Sequence, residues 1–290
     1  MTEATGKRRQ PLGFVVRNAL SRFRRMTPWR LAADLRRAAR LKREPMAPRR
    51  ERHARAERVV VTFTTIPERA AGILPTIHSL LDQTWPPDRI AIAWPEATRN
   101  GAPYPAPPLL PPGVDLLPCT DEGPATKLLP ALKAEPDAVL VVVDDDVIYP
   151  VDFLETLLRA HRADRVAALG WRGNRIDRTL DPRDMAHIFA TAVAAPTDVD
   201  VLMGTWGFLI PPGSLDGAVH DFGGWAPELR WIDDFWISGH LAKRGVPRRV
   251  IPAKGLPLET RLSLIGGLQR IPNPDGRNHR VAIESFAAWW

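Results

Sequence analysis

The chain has 290 residues, 44% of them hydrophobic and 25% charged, which is typical of an ordinary globular protein with a substantial core. Its single cysteine, Cys119, excludes an internal disulfide and a cysteine-based zinc cluster, and no apolar run approaches the roughly 18 residues of a spanning helix, so a cytoplasmic protein is expected. The formal net charge of +7 is unevenly distributed. Residues 1–58 contain 18 Lys and Arg against 5 Asp and Glu, whereas residues 59–290, the body of the protein, contain 22 against 28. The body is therefore mildly acidic and is not expected to bind nucleic acid.

The excess of basic residues defines an N-terminal arm, residues 1–58. Thr27 and Pro28 suit the N-cap and first turn of a helix that should end near Arg43. Four apolar side chains should share one face of it: Leu31, Leu35, Ala38 and Leu41. A basic amphipathic segment can lie on an anionic membrane surface, so residues 14–43 are a candidate peripheral contact at the inner membrane face. A basic extension without a partner is the alternative.

From residue 59 onward, strand patterns alternate with helix patterns. Apolar runs predict strands at residues 59–64, 90–94, 114–117, 139–143, 166–171, 199–203, 208–210 and 248–251. Helices are predicted at residues 73–82, 126–132, 153–161 and 231–244. Five prolines within residues 104–113 predict an irregular surface loop. The order predicts an α/β domain, residues 59–255, with a mostly parallel sheet flanked by helices. We expect a C-terminal extension, residues 256–290, to pack on or near the site.

The strand at residues 139–143 runs directly into three carboxylates, Asp144, Asp145 and Asp146. Open α/β sheets bind ligands at the carboxyl ends of their strands, and three adjacent acids need a compensating cation. Mg2+ and Mn2+ take carboxylate oxygens and share their other positions with phosphates. Asp144 and Asp146 point the same way in extended geometry and are the candidate metal ligands, with Asp145 directed at a sugar or ribose hydroxyl. A solvated acidic turn is the alternative.

Two further segments carry candidate chemistry. Gly123 and Thr126 open a predicted helix whose free N–H groups favour anions, and Lys127 adds a charge suited to phosphate; a plain helix start is the alternative. Asp233 and Asp234 stand at the start of the last predicted helix among aromatic residues. Reduced solvation there raises a carboxyl pKa and favours a general base, whereas acids that only stabilise the helix dipole are the alternative.

Tryptophan is unusually frequent, with 10 Trp against 2 Tyr. Most tryptophans belong in the core, but an indole face can also pack on the apolar face of a sugar ring. Trp206 is the preferred candidate because glycines flank it in a predicted turn. We expect Gly204, Thr205 and Trp206 to contact an acceptor.

Together these segments resemble the GT-A-fold glycosyltransferases, most closely the broad family-2-like group, over about residues 58–255. The first strand followed by residues 66–69 (IPER) looks like the family's first nucleotide-binding loop, and residues 79–84 (SLLDQT) are similar to a helix end common there. The acids at residues 144–146 fit the DxD metal motif, and Asp233-Asp234 looks like the late acidic pair of inverting members.

The resemblance implies a GT-A-type, Rossmann-like fold and a divalent metal, Mn2+ or Mg2+, that bridges the diphosphate of a nucleotide-sugar donor, most commonly a UDP-sugar. It implies inverting transfer to a hydroxyl acceptor, either a glycan or a lipid-linked molecule, with Asp234 as the base beside Asp233. The implied donor-binding residues are Thr64, Thr65, Arg69, Asp121, Lys127, Asp144 and Asp145, and the implied metal ligands are Asp144 and Asp146.

The sequence also departs from the family-2 pattern. Threonines stand at positions 62, 64 and 65 in place of a more apolar run, the late pair is Asp-Asp instead of Glu-Asp, and no Gln-x-x-Arg-Trp motif follows. Residues 123–127 look like the retaining exostosin-like group, which leaves the anomeric outcome open. The same acids would also serve a nucleotidyltransferase or a haloacid-dehalogenase-like phosphatase, and a non-catalytic sugar- or nucleotide-binding protein would keep the fold.

Overall fold

The computed structural model describes residues 27–43, 56–177, 179, 181–266 and 276–290. The strands are β1 (Val59–Thr64), β2 (Arg89–Pro95), β3 (Val114–Cys119), β4 (Val139–Val142), β5 (Val147–Ile148), β6 (Ala168–Gly170), β7 (Arg172–Arg175), β8 (Ala186–Phe189), β9 (Thr197–Asp198), β10 (Val201–Leu202), β11 (Phe208–Ile210), β12 (Arg248–Val250) and β13 (Leu258–Glu259). The α-helices are α1 (Pro28–Leu41), α2 (Leu74–Leu81), α3 (Leu129–Ala134), α4 (Phe153–Ala163), α5 (Asp233–Lys243) and α6 (Arg277–Ser285).

An eight-stranded sheet in the order β3-β2-β1-β4-β11-β6-β12-β9 forms the centre of the protein. Strands β1 to β4 are mutually parallel, β11 runs antiparallel between β4 and β6, and β12 is parallel to β6. Every residue of β4 and all but the last residue of β1 are buried, because helices and loops cover both faces of the sheet. The predicted α/β domain with a mostly parallel sheet is confirmed.

The strand register brings three segments to one edge of this sheet. Thr62 of β1 and Phe208 of β11 both lie opposite Val142, the last residue of β4. The residues that follow β1, those that follow β4 and the turn that precedes β11 therefore leave the sheet side by side. This edge is the carboxyl edge of the parallel strands, where α/β sheets bind ligands.

Three parts of the chain differ from the prediction. The helix expected at residues 126–132 is a 3-10 helix, Gly123–Lys127, followed by α3. The small sheet β10-β7-β8 contains two strands, β7 and β8, that no apolar run predicted. After Lys254, β13 pairs with β5, immediately beyond the acidic triplet, and the Thr260 N–H donates to the Asp146 carbonyl at 2.7 Å. Two-residue strands are too short to leave a periodic signal.

Helix α1 packs against the body of the protein through its apolar face. Leu31, Ala38 and Leu41 lie in a buried cluster, which also contains Ile148, Leu256 and Leu258. The prediction for Leu35 was wrong: it is 54% exposed. Asp34 is buried and pairs with Arg30 one helical turn away, so the contact stripe follows residues 31, 34, 38 and 41.

The proposed membrane-contact segment is described only in part. Residues 14–26 lie outside the described residues, and the apolar face of α1 contacts the protein itself. In the part of the chain that the structure describes, no helix is long and apolar enough to cross a membrane.

Two leucines on α1 test this docking. Leu41 is completely buried, so Leu41→Ala should lower the free energy of unfolding by about 2–3 kcal/mol through lost burial and a residual cavity. Leu35→Ala, on the exposed side of the same helix, should change it by less than about 0.5 kcal/mol. Urea unfolding midpoints of the two variants measure the difference; equal midpoints would show that α1 is not docked.

Candidate active site

Asp144 follows β4 and is held by hydrogen bonds at both its backbone and its side chain. Its N–H donates to the Tyr149 hydroxyl at 2.8 Å, and its Oδ2 accepts the Trp206 N–H at 3.0 Å. The donor Trp206 has φ 77°, a left-handed backbone that a bulky residue rarely adopts. The turn before β11 is thus fixed against the first acid of the triplet.

The other two acids of the triplet share an arginine. Arg69 Nη1 lies 2.8 Å from Asp145 Oδ1 and 3.2 Å from Asp146 Oδ2. Thr65 donates its hydroxyl to Asp145 Oδ2 at 2.6 Å, so both oxygens of Asp145 have partners within the protein. Arg69 and Thr65 follow β1, which is the neighbour of β4 in the sheet. The protein therefore supplies part of the compensating charge that the sequence requires.

The late acidic pair begins helix α5, and its two members have different environments. Asp233 is 1% exposed, and its Oδ2 lies 2.8 Å from Lys127 Nζ. Asp234 Oδ1 accepts the Gly204 N–H at 2.6 Å. A Cβ at position 204 would overlap Lys127 Nζ and Asp234 Oδ1, so any larger residue would displace these two groups. Together these contacts bring the turn at residues 204–207 onto the N-terminus of α5.

Lys127 connects the two acidic groups electrostatically. Burial acts to lower its pKa, but the charges of Asp233, Asp234 and Asp144 outweigh burial and raise it. Burial raises the pKa of Asp144 to about 7 and that of Asp146 to about 6. Burial, followed by the charge of Asp233, also raises the pKa of Asp234. The ionised site thus carries unfavourable free energy that a bound cation would relieve.

Asp144 and Asp146 fit a divalent ion of the kind that is shared with phosphate. Among the described residues, no three His, Cys, Asp or Glu side chains are grouped as a complete metal cage. Mg2+ at phosphate sites is held by one or two carboxylates and completes its coordination with phosphate and water, so a complete cage is not required. The mutual repulsion of Asp144 and Asp146 contributes to the raised pKa of Asp144, and a shared cation would remove that repulsion.

The donor-side residues predicted from sequence have these positions. Thr64 donates its hydroxyl to the Ala93 carbonyl at 2.9 Å, at the end of β1. Asp121 accepts the Gly123 N–H at 2.8 Å and the Arg99 N–H at 3.1 Å. Asp121 therefore engages one of the N–H groups expected to be free there, that of Gly123. Lys127 lies at the other end of that helix, within the acid cluster.

The predicted acceptor residues lie beside the β7–β8 hairpin. The Trp206 ring is 5.8 Å from the Phe189 ring, and the Arg172 guanidinium lies 5.3 Å from the centre of the Phe189 ring and 5.9 Å from that of Trp206. Arg172 also acts electrostatically on Asp234. Gly204 and Thr205 belong to the same turn as Trp206. An aromatic and cationic wall thus adjoins the late acidic pair.

Comparison with known proteins identifies the family. The family model described as glycosyl transferase family 2 matches residues 59–215, which is more than half of the chain. The chain belongs to this family. The predicted family-2-like GT-A architecture is thereby confirmed, while the likeness to the exostosin-like group is not. The match gives no support to the phosphatase or nucleotidyltransferase alternatives.

Solved structures of glycosyltransferases are similar at low sequence identity. One is the mannosyltransferase PcManGT from Pyrobaculum calidifontis in complex with GDP-Man and Mn2+, at 17% identity and TM-score 0.44, covering 90% of this chain and 85% of that one. Another is GalNAc-T7 with UDP, GalNAc and Mn2+, at 15% identity and TM-score 0.41, covering 68% of this chain and 41% of that one. No curated protein matches the chain significantly.

In this glycosyltransferase, most of the predicted site residues gather at the carboxyl edge of the sheet. They form two groups linked through Lys127. The first group contains Thr65, Arg69, Asp144, Asp145 and Asp146. The second contains Gly204, Thr205, Trp206, Asp233 and Asp234. Thr64 and Asp121 lie beside them and contact only backbone atoms in the bonds described above.

Sequence reasoning missed two tyrosines that support this site. Tyr149 accepts the Asp144 N–H, and Tyr104 donates its hydroxyl to the Thr65 carbonyl at 2.9 Å. They are the only two tyrosines of the chain. Their rarity was the available signal, because a Tyr in place of Phe within an apolar segment indicates a hydroxyl with a partner.

The raised pKa of Asp144 makes stability depend on pH in a defined direction. A carboxyl whose pKa is raised in the folded state stabilises the fold below about pH 4, and this contribution is lost as pH rises through about 7. Asn does not titrate, so Asp144→Asn should match wild type near pH 4. Without ligands at pH 8 it should be more stable by on the order of 2 kcal/mol.

Urea unfolding at the two pH values measures this gain. Asp137→Asn, at an exposed position, is the control and should show no such pH-dependent gain. Equal stability of Asp144→Asn and wild type at pH 8 would contradict this account, because it would show that ionised Asp144 does not destabilise the fold.

Proposed function

We propose that this glycosyltransferase moves a hexose from a nucleotide-diphosphate donor to a hydroxyl acceptor in a metal-dependent reaction with inversion. A UDP-sugar is the first donor to test. One observation carries the proposal: the metal-type carboxylates Asp144 and Asp146 and a second acidic pair occur at the same sheet edge, linked through Lys127. The first pair suits a diphosphate, and the second suits an acceptor hydroxyl.

On the donor side, Asp144 and Asp146 would hold Mn2+ or Mg2+. When bound, the ion supplies the charge that neutralises the leaving diphosphate. Arg69 and Thr65 fix Asp145, so the triplet keeps its shape when the ion exchanges. Lys127 adds a buried positive charge close to Asp144. We assign Thr64, Thr65, Arg69, Asp121 and Asp145 to the nucleotide side of the site.

On the acceptor side, the different environments of the two acids favour Asp234 as the base. Lys127 pairs with Asp233 Oδ2 at 2.8 Å, which engages one oxygen of that acid. Asp234 has a raised pKa, so its carboxylate is a stronger proton acceptor than an ordinary Asp side chain. The Gly204 N–H orients its Oδ1, and its second oxygen can accept the proton of the hydroxyl. A base outside the metal pair supports a single displacement with inversion.

The acceptor would lie against Gly204, Thr205 and Trp206, and we propose a glycan or a lipid-linked molecule. An anionic membrane surface at the inner face would meet the outward side of α1. Trp29 is 86% exposed there, and Arg36, Lys42 and Arg43 are exposed further along the chain. Because the buried stripe of α1 packs on the body, the membrane contact within the described part of the arm would use these outward residues.

A thermal-shift screen of nucleoside diphosphates and sugar nucleotides, with and without Mn2+, tests the donor site. Ligand at a hundredfold excess over its Kd should stabilise the protein by about 2.7 kcal/mol. The shift should require both the metal and one particular nucleotide, which names the base. A folded sample that no nucleotide stabilises, with Mn2+ or without, would refute the donor assignment.

Replacing the base tests the acceptor side. With the donor found in the screen, Asp234→Asn should lower kcat about 10²–10⁴-fold, because proton removal from the hydroxyl is lost. The metal-dependent thermal shift should remain, and Asp137→Asn should retain the wild-type kcat. Turnover of Asp234→Asn at the wild-type rate would exclude Asp234 as the base.

A further inference from the structure

Helix α1 lies outside residues 59–215, the segment that matches the family, yet one of its arginines reaches the scaffold behind the acidic triplet. The Arg37 side chain is 12% exposed. Its Nε donates to Asp82 Oδ2 at 2.7 Å, its Nη1 to the Tyr149 carbonyl at 2.5 Å and its Nη2 to the Ser79 carbonyl at 3.1 Å. The guanidinium thus joins the end of α2 to the residue that follows β5.

Tyr149 carries this connection to the first acid. Its N–H donates to Ser79 Oγ at 3.0 Å, and its hydroxyl accepts the Asp144 N–H at 2.8 Å. Its ring is fully buried, with the Phe153 ring 4.5 Å away. Because the ring is packed on all sides, its hydroxyl position follows from where its backbone is held. Arg37 holds that backbone, so Arg37 and Asp144 are bonded to the two ends of one rigid residue.

A second connection runs through the apolar contacts of α1. Leu31, Ala38 and Leu41 share a cluster with Ile148 of β5, and Trp206 packs against this cluster. The Trp206 N–H is the donor to Asp144 Oδ2. Both the backbone and the carboxylate of Asp144 are therefore held by residues that α1 supports.

We propose that Arg37 is a positioning residue for the reaction, which fixes the orientation of Asp144 through Tyr149. The N-terminal helix is then a working part of the site. An arginine suits this position because its planar guanidinium places donors on three separate nitrogens, one for each acceptor, whereas a lysine ammonium has all its donors on one nitrogen. A role of Arg37 in the reaction rests on the proposed function, in which Asp144 binds the metal. The structural connection from Arg37 to Asp144 does not depend on that proposal.

The simpler role for Arg37 is charge compensation of Asp82, and the chain offers a matched control for it. Arg40 Nη2 also pairs with Asp82 Oδ2, at 2.9 Å, from the next turn of α1. Arg37 in addition donates to the Tyr149 and Ser79 carbonyls. Arg40→Met therefore weakens the pairing of Asp82 and keeps the connection to Tyr149.

Amide hydrogen exchange of the full-length protein without ligand is the first test. In Arg37→Met and Arg37→Lys, amides of residues 143–149 should exchange at least roughly tenfold faster than in wild type, because their opening no longer breaks the Arg37 bonds. In Arg40→Met these rates should stay within about twofold of wild type. Wild-type rates in both Arg37 variants, full rescue by Lys, or an equal effect of Arg40→Met would overturn the proposal.

Mn2+ affinity, measured from the electron paramagnetic resonance signal of free Mn2+ with UDP or GDP present, is the second test. Arg37→Met and Tyr149→Phe should each weaken it by roughly 10–100-fold, the usual effect of removing support behind a metal ligand. Because both changes act on one connection, the double variant should bind about as weakly as Tyr149→Phe alone. Independent, multiplicative losses would contradict a shared connection.

The two readouts separate the possible failures. If wild type binds no Mn2+ under any of these conditions, the proposed function fails, and the exchange rates still decide the role of Arg37. If removing a partner of the buried Asp82 prevents Arg37→Met from folding, Arg37→Lys and Tyr149→Phe provide the same comparison with smaller perturbations.

Discussion

The structure depends on the burial of several carboxylates at one edge of a parallel sheet. Burial raises the pKa of Asp144 and Asp146 toward neutrality, so their ionised forms carry unfavourable free energy in the absence of a ligand. Arg69 and Lys127 offset part of this charge, and the missing side chain of Gly204 leaves room for Lys127 and Asp234 beside its backbone. The cost in stability and the proposed affinity for a cation with a diphosphate therefore have the same physical cause.

The segment that matches the family provides only part of this arrangement. It carries the strands, Lys127, the acidic triplet and the turn at residues 204–207, whereas Asp233 and Asp234 follow it. Helix α1 precedes it and holds the backbone behind Asp144, and β13 pairs with β5 directly beyond the triplet. Segments before and after the matched residues thus pack around the acids. The positions of the acids therefore depend on parts of the chain outside residues 59–215.

Much of the fold and of the candidate site was predictable because short apolar runs and the acids after them are local signals. The apolar runs that predicted β1, β4 and β11 each adjoin a charged or glycine-containing segment, and the strands form at those runs. The contacts between distant segments were not predictable. The bond of Arg37 to Tyr149, the pairing of Lys127 with Asp233 and the exposure of Leu35 are set by how helices dock, and a 3.6-residue pattern leaves the exact contact stripe open.

A crystal structure of the protein with Mn2+ and the nucleoside diphosphate that stabilises it tests the central claim most directly. The account predicts an anomalous manganese peak in contact with Asp144 or Asp146 and with the diphosphate, while Asp234 remains free of the ion. Manganese and nucleotide bound elsewhere, with Asp144 and Asp146 contacting neither, would contradict it.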